Sequence, residues 1–187
     1  EAQDLSTLQW NRVFNLLTKA KRTVLAGDDD QGIYEWAGAD IATFLECGKA
    51  SSRLADHCTV LPVTHRYGHA IWFKAEQIIR QCGSRISKTY SAGLQTSFVT
   101  RISDLMQGLQ ESGSILILVR NNYMLNSIKE ELDELSLSWK LTNEPLTHKN
   151  KDFIRVGTIH SAKGAEADNV IVYPDMSFGT YEAMEKN

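Results

Sequence analysis

The run Ile115-Leu116-Ile117-Leu118-Val119 constrains this chain more than any other stretch. With only β-branched and leucine side chains it has no polar face, so a strand made of it must be covered on both sides, as in a parallel sheet. Parallel strands need long crossovers between them, usually helical. The sequence supplies one at once: Leu125, Ile128, Leu132 and Leu135 follow at helical spacing. Further strands fit around Trp139, at 153–158 and at 170–173. Strands alternating with helices define an α/β fold.

The first half repeats the alternation less clearly. Ser6 and Gln9 have the spacing of a capping box, and Trp10, Val13, Phe14 and Leu17 mark the helix it opens. Lys19, Lys21 and Arg22 close that helix near its negative end. The stretch 23–26 then has the look of a short buried strand, stopped by Gly27 and an acidic loop. A helix is expected over 39–46, with Ile41, Phe44 and Leu45 inward, and a strand at 59–61. Another helix is expected over 68–81, with Ile71, Trp72, Ala75, Ile78 and Ile79 as its apolar stripe. Between these, 47–57 is polar and rich in small residues, which makes it the candidate link between two domains, 1–55 and 56–187. Residues 83–97 show no period and are expected as loop, and a helix at 103–110 should lead into the apolar run.

Composition excludes more than it selects. At 187 residues and 42% hydrophobic, the chain can bury one core or parts of two. A net charge of −3 does not mark a nucleic-acid binder, although a locally basic groove can sit on a neutral protein. No apolar run approaches the roughly 20 residues of a membrane helix, and no secretory leader is visible. Cys47, Cys58 and Cys82 are odd in number and not closely paired, as in a reduced, cytoplasmic protein. His65 and His69 stand four apart but lack the Glu of H-E-x-x-H, so no metal site is expected. Glu130, Glu131, Asp133 and Glu134 make a solvated helix face.

Two strings carry chemistry. In VLAGDDDQGIYEWAGAD (24–40), acids at the end of the 23–26 stretch are followed by Gln31, whose amide can hydrogen-bond phosphate or orient water. Tyr34 and Trp36 lie two apart, so in extended backbone both rings face one way and can stack on bases. In VGTIHSAKGAEAD (156–168), a strand ends among Thr158, His160 and Lys163; the start of a helix there would offer backbone N–H groups to phosphate, with Lys163 adding charge.

The first string resembles motif III of UvrD/Rep-like superfamily I DNA helicases in Gly27, Asp28, Gln31, Ile33, Tyr34, Trp36, Gly38 and Ala39. Glu1-Ala2-Gln3-Asp4 is similar to the tail of motif II, and Thr158, His160, Ser161, Lys163, Gly164 and Glu166 to motif V. LPVTHRYGHAI (61–71) resembles motif IV, and ILILVRNN (115–122) the family's strand ending in Arg and Asn. The motifs also fall in the family's order. The resemblance implies a RecA-like parallel-sheet P-loop NTPase fold, with the end of one RecA-like domain in 1–55 and most of a second in 56–187. It implies ATP and Mg²⁺ as cofactors, and single-stranded DNA and duplex junctions as partners. Glu1 is then the general base that activates water, Gln31 the γ-phosphate sensor and Arg66 the arginine finger, with Gly164 and Glu166 also at the nucleotide. Tyr34, Trp36, Arg120, Asn121, Thr158, His160 and Lys163 are implied at the DNA. The activity implied is ATP-driven translocation and unwinding, 3′ to 5′. The alternative is a single-stranded DNA-binding module without a motor.

The sequence departs from the family at His65, where Tyr commonly stacks on adenine, at Ala37 in place of an Arg, and at Ala165 in place of a Leu. It contains no G-x-x-x-x-G-K-[ST] loop and no motif VI, and it begins one residue after the expected Mg²⁺-binding Asp. A piece of a longer protein is therefore expected, inactive by itself for want of the phosphate-cradling Lys. The short stretch between Trp139 and Phe153 leaves no room for the large domain that many relatives insert there.

Overall fold

The computed structural model describes residues 1–49, 57–83, 85–86, 88, 91–93, 113–144 and 154–173. The chain forms two compact units, Glu1–Val99 and Thr100–Asn187. Most of the candidate link at 47–57, and all of the helix expected at 103–110, lie outside the described residues. Residues 57–93 belong to the first unit.

In the second unit the apolar run forms β1, Ile115–Val119, and the helix after it α4, Asn122–Glu134. Short β2, Trp139–Leu141, then β3, Ile154–Thr158, and β4, Asn169–Val172, complete a sheet of order β2-β3-β1-β4. Every pairing is parallel, with Val119 opposite Thr158 and Ile117 opposite both Val156 and Ile171. The expected α/β class is therefore what the chain adopts.

Strand alternation decides what α4 covers. Ile117, Val119, Ile154 and Val156 share one face and pack with Met124, Leu125, Ile128 and Leu132 of the helix. Val119 and Val156 are fully buried there. On the other face Leu116 is buried, while Val170 and Val172 are about half exposed. At the start of the sheet, Asp168 accepts hydrogen bonds from the Ser114 N–H (2.8 Å) and hydroxyl (2.7 Å), which ties β4 to β1. Those bonds also hold the Asp168 carboxyl below its ordinary pKa.

The first unit contains α1, Thr7–Leu17, α2, Ile41–Cys47, and α3, His69–Ile79. Ser6 caps α1 in the expected capping box, and the Asp40 carboxylate accepts from the Thr43 N–H to start α2. Trp10 is 1% exposed, stacks on Phe14 at 5.4 Å, and clusters with Ala2, Phe44 and Cys47. Its indole N–H reaches the Asp40 carbonyl at 3.3 Å, so one side chain joins α1 to the start of α2.

Two expectations fail here. Residues 23–26 and 59–61 form no strand; Val24 is 82% and Leu61 81% exposed. A β-run is stabilised by its ladder, and among the described residues no neighbouring strand lies beside either segment. The α3 stripe is also not a core stripe: no residue of that helix is buried, and Ile78 is 68% exposed.

Candidate functional site

The first group of candidate residues is assembled by side-chain hydrogen bonds around the Gly27–Gln31 turn. Gln3, 1% exposed, donates from Nε2 to Glu1 Oε2 at 2.5 Å. Its Oε1 accepts from the Asp28 N–H at 3.1 Å. Asp28 Oδ2 in turn accepts from Gln31 Nε2 at 2.7 Å. Glu1 and Gln31 are thus joined by a relay through Gln3 and Asp28. Gly27 allows the close approach, since a Cβ at that position would lie 2.5 Å from Gln3 Oε1 and 2.9 Å from the Phe44 ring.

The acids of this turn are paired with cations, and only Asp28 of the three keeps substantial exposure. Lys88 Nζ lies 2.6 Å from Asp28 Oδ1, 2.5 Å from Asp29 Oδ1 and 2.9 Å from Asp30 Oδ2. Arg85 grips Asp30 with two bonds, Nε to Oδ1 at 3.0 Å and Nη2 to Oδ2 at 2.7 Å. The Ile86 N–H donates to Asp29 Oδ2 at 2.7 Å. Burial opposes ionisation of Asp28, yet hydrogen bonds from Lys88 and Gln31 outweigh it and hold the carboxyl below its ordinary 3.8. Burial likewise opposes the charge on Lys88, yet hydrogen bonds to the three Asp raise its pKa above the ordinary 10.5. The three carboxylates converge closely enough to suit a cation, and here the Lys88 ammonium fills that role.

Sequence reasoning missed Arg85 and Lys88. They lie 55 and 60 residues from their partners, in a stretch with no period. The available signal was charge: three adjacent acids held in one turn require compensation from somewhere.

Arg66 is exposed, in the bend that leads into α3. The backbone before it is fixed by the Thr64 N–H to the Ser91 carbonyl (3.1 Å) and the Ser91 N–H to the Pro62 carbonyl (2.9 Å). Tyr34 and Trp36 do come together, with ring centroids 6.4 Å apart and tilted by 54°. They do so on a 3₁₀ turn, Glu35–Ala37, and not on extended backbone. The turn ends at Gly38, whose φ of 94° suits glycine. Trp36 is 75% exposed, an apolar ring presented to solvent.

In the second unit the candidates sit at the carboxyl ends of two adjacent parallel strands. Arg120 and Asn121 follow β1, and Thr158 to Lys163 end and follow β3. The Ile159 N–H donates to the Val119 carbonyl at 3.0 Å, so both chain ends leave the sheet together. Ligands in open parallel sheets usually bind at the carboxyl ends of the strands. Here β1 leads towards β2 and β3 leads towards β4 on the other side.

The helix expected after β3 does not form. Residues 159–164 make turns, with an Ala162 N–H to Thr158 carbonyl bond at 3.1 Å and then a stop at Gly164, φ 79°. The Thr158 hydroxyl accepts from the Ser161 N–H at 3.2 Å, and the Ser161 hydroxyl lies 2.8 Å from that of Thr142. Gly157 leaves room for this, because a Cβ there would lie 2.3 Å from Thr142 Oγ1. Arg155, 7% exposed, donates to the Glu166 carbonyl and holds the end of the turn. Glu166 and Arg120 are exposed, while His160 and Lys163 are half-buried. Asn121 keeps a buried amide Nδ2 without a hydrogen-bond partner among the described residues.

Residues 1–51 match the family model of the UvrD/REP helicase N-terminal domain. That match contains Glu1, Gln3, the Asp28–Asp30 turn, Gln31, Tyr34 and Trp36. It supports a helicase of the UvrD-like family, and the parallel sheet with its helices is consistent with the RecA-like fold of such helicases. No curated protein and no solved structure matches the chain. No helix among the described residues is long and apolar enough to cross a membrane.

Proposed function

We propose that this chain is part of an ATP-dependent DNA helicase that couples nucleotide hydrolysis to movement on single-stranded DNA. The observation that carries the reading is the relay from Glu1 through Gln3 and Asp28 to Gln31, inside the segment that matches the helicase model. A carboxylate and a side-chain amide held in one hydrogen-bonded frame suit proton removal from a water and the ordering of that water. Gln31 gives one N–H to Asp28, which leaves a second N–H and its carbonyl for phosphate oxygen or water.

In this reading Glu1 accepts the proton and Gln31 orients the attacking water. Arg66, exposed and permanently charged, neutralises charge on the departing phosphate. ATP with Mg²⁺ supplies the phosphoryl bond that is broken. The Asp28–Asp30 carboxylates do not fit the metal in this arrangement, since Lys88, Arg85, Gln31 and the Ile86 N–H take up their oxygens. Tyr34 and Trp36 stack on bases, and Arg120, Asn121, Thr158, His160 and Lys163 follow the DNA backbone, where lysine and arginine supply most of the affinity.

The test is ATP-dependent unwinding of short duplexes bearing either a 3′ or a 5′ single-stranded tail, by the full-length protein. The expected result is unwinding from the 3′ tail only, abolished in Gln31→Ala and in Arg66→Ala. DNA binding without unwinding from either tail would favour a binding module instead.

A further inference from the structure

We infer that Lys88 is a positioning residue for Gln31, acting from outside the helicase-matched segment through the carboxylate of Asp28; the role rests on the motor reading above. The geometry is specific. An ammonium has three N–H donors, and each of its three close contacts goes to a different Asp of the turn, at 2.6, 2.5 and 2.9 Å. The contact with Asp28 Oδ1 is a hydrogen bond, and those with Asp29 and Asp30 are close ion pairs. What it does is fix Asp28, whose other oxygen holds the Gln31 amide.

The segment carrying Lys88 is anchored independently. Ile86 packs against the cluster of Ala2, Trp10, Phe44 and Cys47, and its N–H is bonded to Asp29. Arg85 adds its two bonds to Asp30. Three residues further on, Ser91 pairs with Pro62 and Thr64, the backbone that leads to Arg66. One stretch of chain thus touches the turn that bears Gln31 and the approach to Arg66. Without Lys88, three neighbouring carboxylates face one another with, among the described residues, Arg85 as the compensating charge, and Asp28 keeps only the Asp30 N–H (3.2 Å) and the Gln31 amide to hold its carboxylate.

The test is a double-mutant cycle in the full-length protein, with ATP hydrolysis in saturating single-stranded DNA as readout. Lys88→Met is expected to lower kcat on the order of 10²-fold with little change in KM, as misplacement of a reacting group does. Gln31→Ala should produce a similar loss, and the double variant should be no worse than Gln31→Ala alone. Losses that multiply in an active enzyme would overturn the positioning role and leave the motor intact. A wild-type protein that turns over no ATP would overturn the motor reading, and the positioning role with it. If Lys88→Met does not fold, Lys88→Met/Asp29→Asn serves in its place. Asp29 is the most buried of the three, and the amide oxygen of Asn keeps an acceptor for the Ile86 N–H.

Discussion

The two units build their candidate sites by opposite means. In Thr100–Asn187 the site is made by backbone: adjacent parallel strands end side by side, and turns closed by main-chain and hydroxyl bonds follow. In Glu1–Val99 it is made by side chains, in a network where residues 1, 3, 28 and 31 are linked and residues 85 and 88 neutralise the acids. A backbone-built site should tolerate loss of single polar groups, because each contributes one hydrogen bond among many. A charge network should not, because removing one member strands the others.

The largest effects should come from the cores beneath each site and should be alike in the two units. Trp10→Ala removes a side chain that is 1% exposed, and Leu132→Ala one that is 7% exposed. Thermal or urea unfolding should show losses of about 3–5 kcal/mol for the tryptophan and about 2–5 for the leucine. The contrast appears at the next level. Lys88→Met should cost about 2–4 kcal/mol, somewhat below the usual figure for breaking a buried ion pair because Asp28 is 40% exposed. Ser161→Ala, at the other site, should cost about 1 kcal/mol. Equal losses in these two variants would remove the distinction between the sites.

The pH dependence sharpens the same contrast. Asp28 titrates below its ordinary 3.8 in the folded protein, so its contribution is full above that value and is lost as pH falls through the lowered pKa. Lys88 titrates above its ordinary 10.5, so its contribution is full below that value and is lost as pH rises through the raised pKa. Stability of the first unit should therefore hold between these limits and fall outside them. In Lys88→Met the loss at the alkaline end should shrink, as urea midpoints measured across pH would reveal. An effect as small as that of Ser161→Ala, about 1 kcal/mol, is expected from Ser6→Ala, which removes the side-chain cap of α1.

Legibility in the sequence followed the same division. The second unit could be read because its elements are local: the apolar run, the helical spacing of Ile128 and Leu132, and the strand at Val156 each declare themselves within a few residues. The capping box of α1 was legible for the same reason. The segments at 23–26 and 59–61 have strand-like residues, but a strand is a property of a pair, and no partner can be read from one segment. The turn after Thr158 stops short of a helix because Gly164 takes a left-handed φ, which a glycine permits and does not announce. Gln31 stood out as a motif, whereas Lys88 could not, since nothing local links it to residues 28–30.

The most direct test of the central claim is steady-state ATP hydrolysis by the full-length protein, with and without single-stranded DNA. Slow turnover alone, strong stimulation by DNA, and loss of that stimulated rate in Gln31→Ala are the expected results. A folded protein that binds single-stranded DNA yet hydrolyses no ATP in its presence would contradict it.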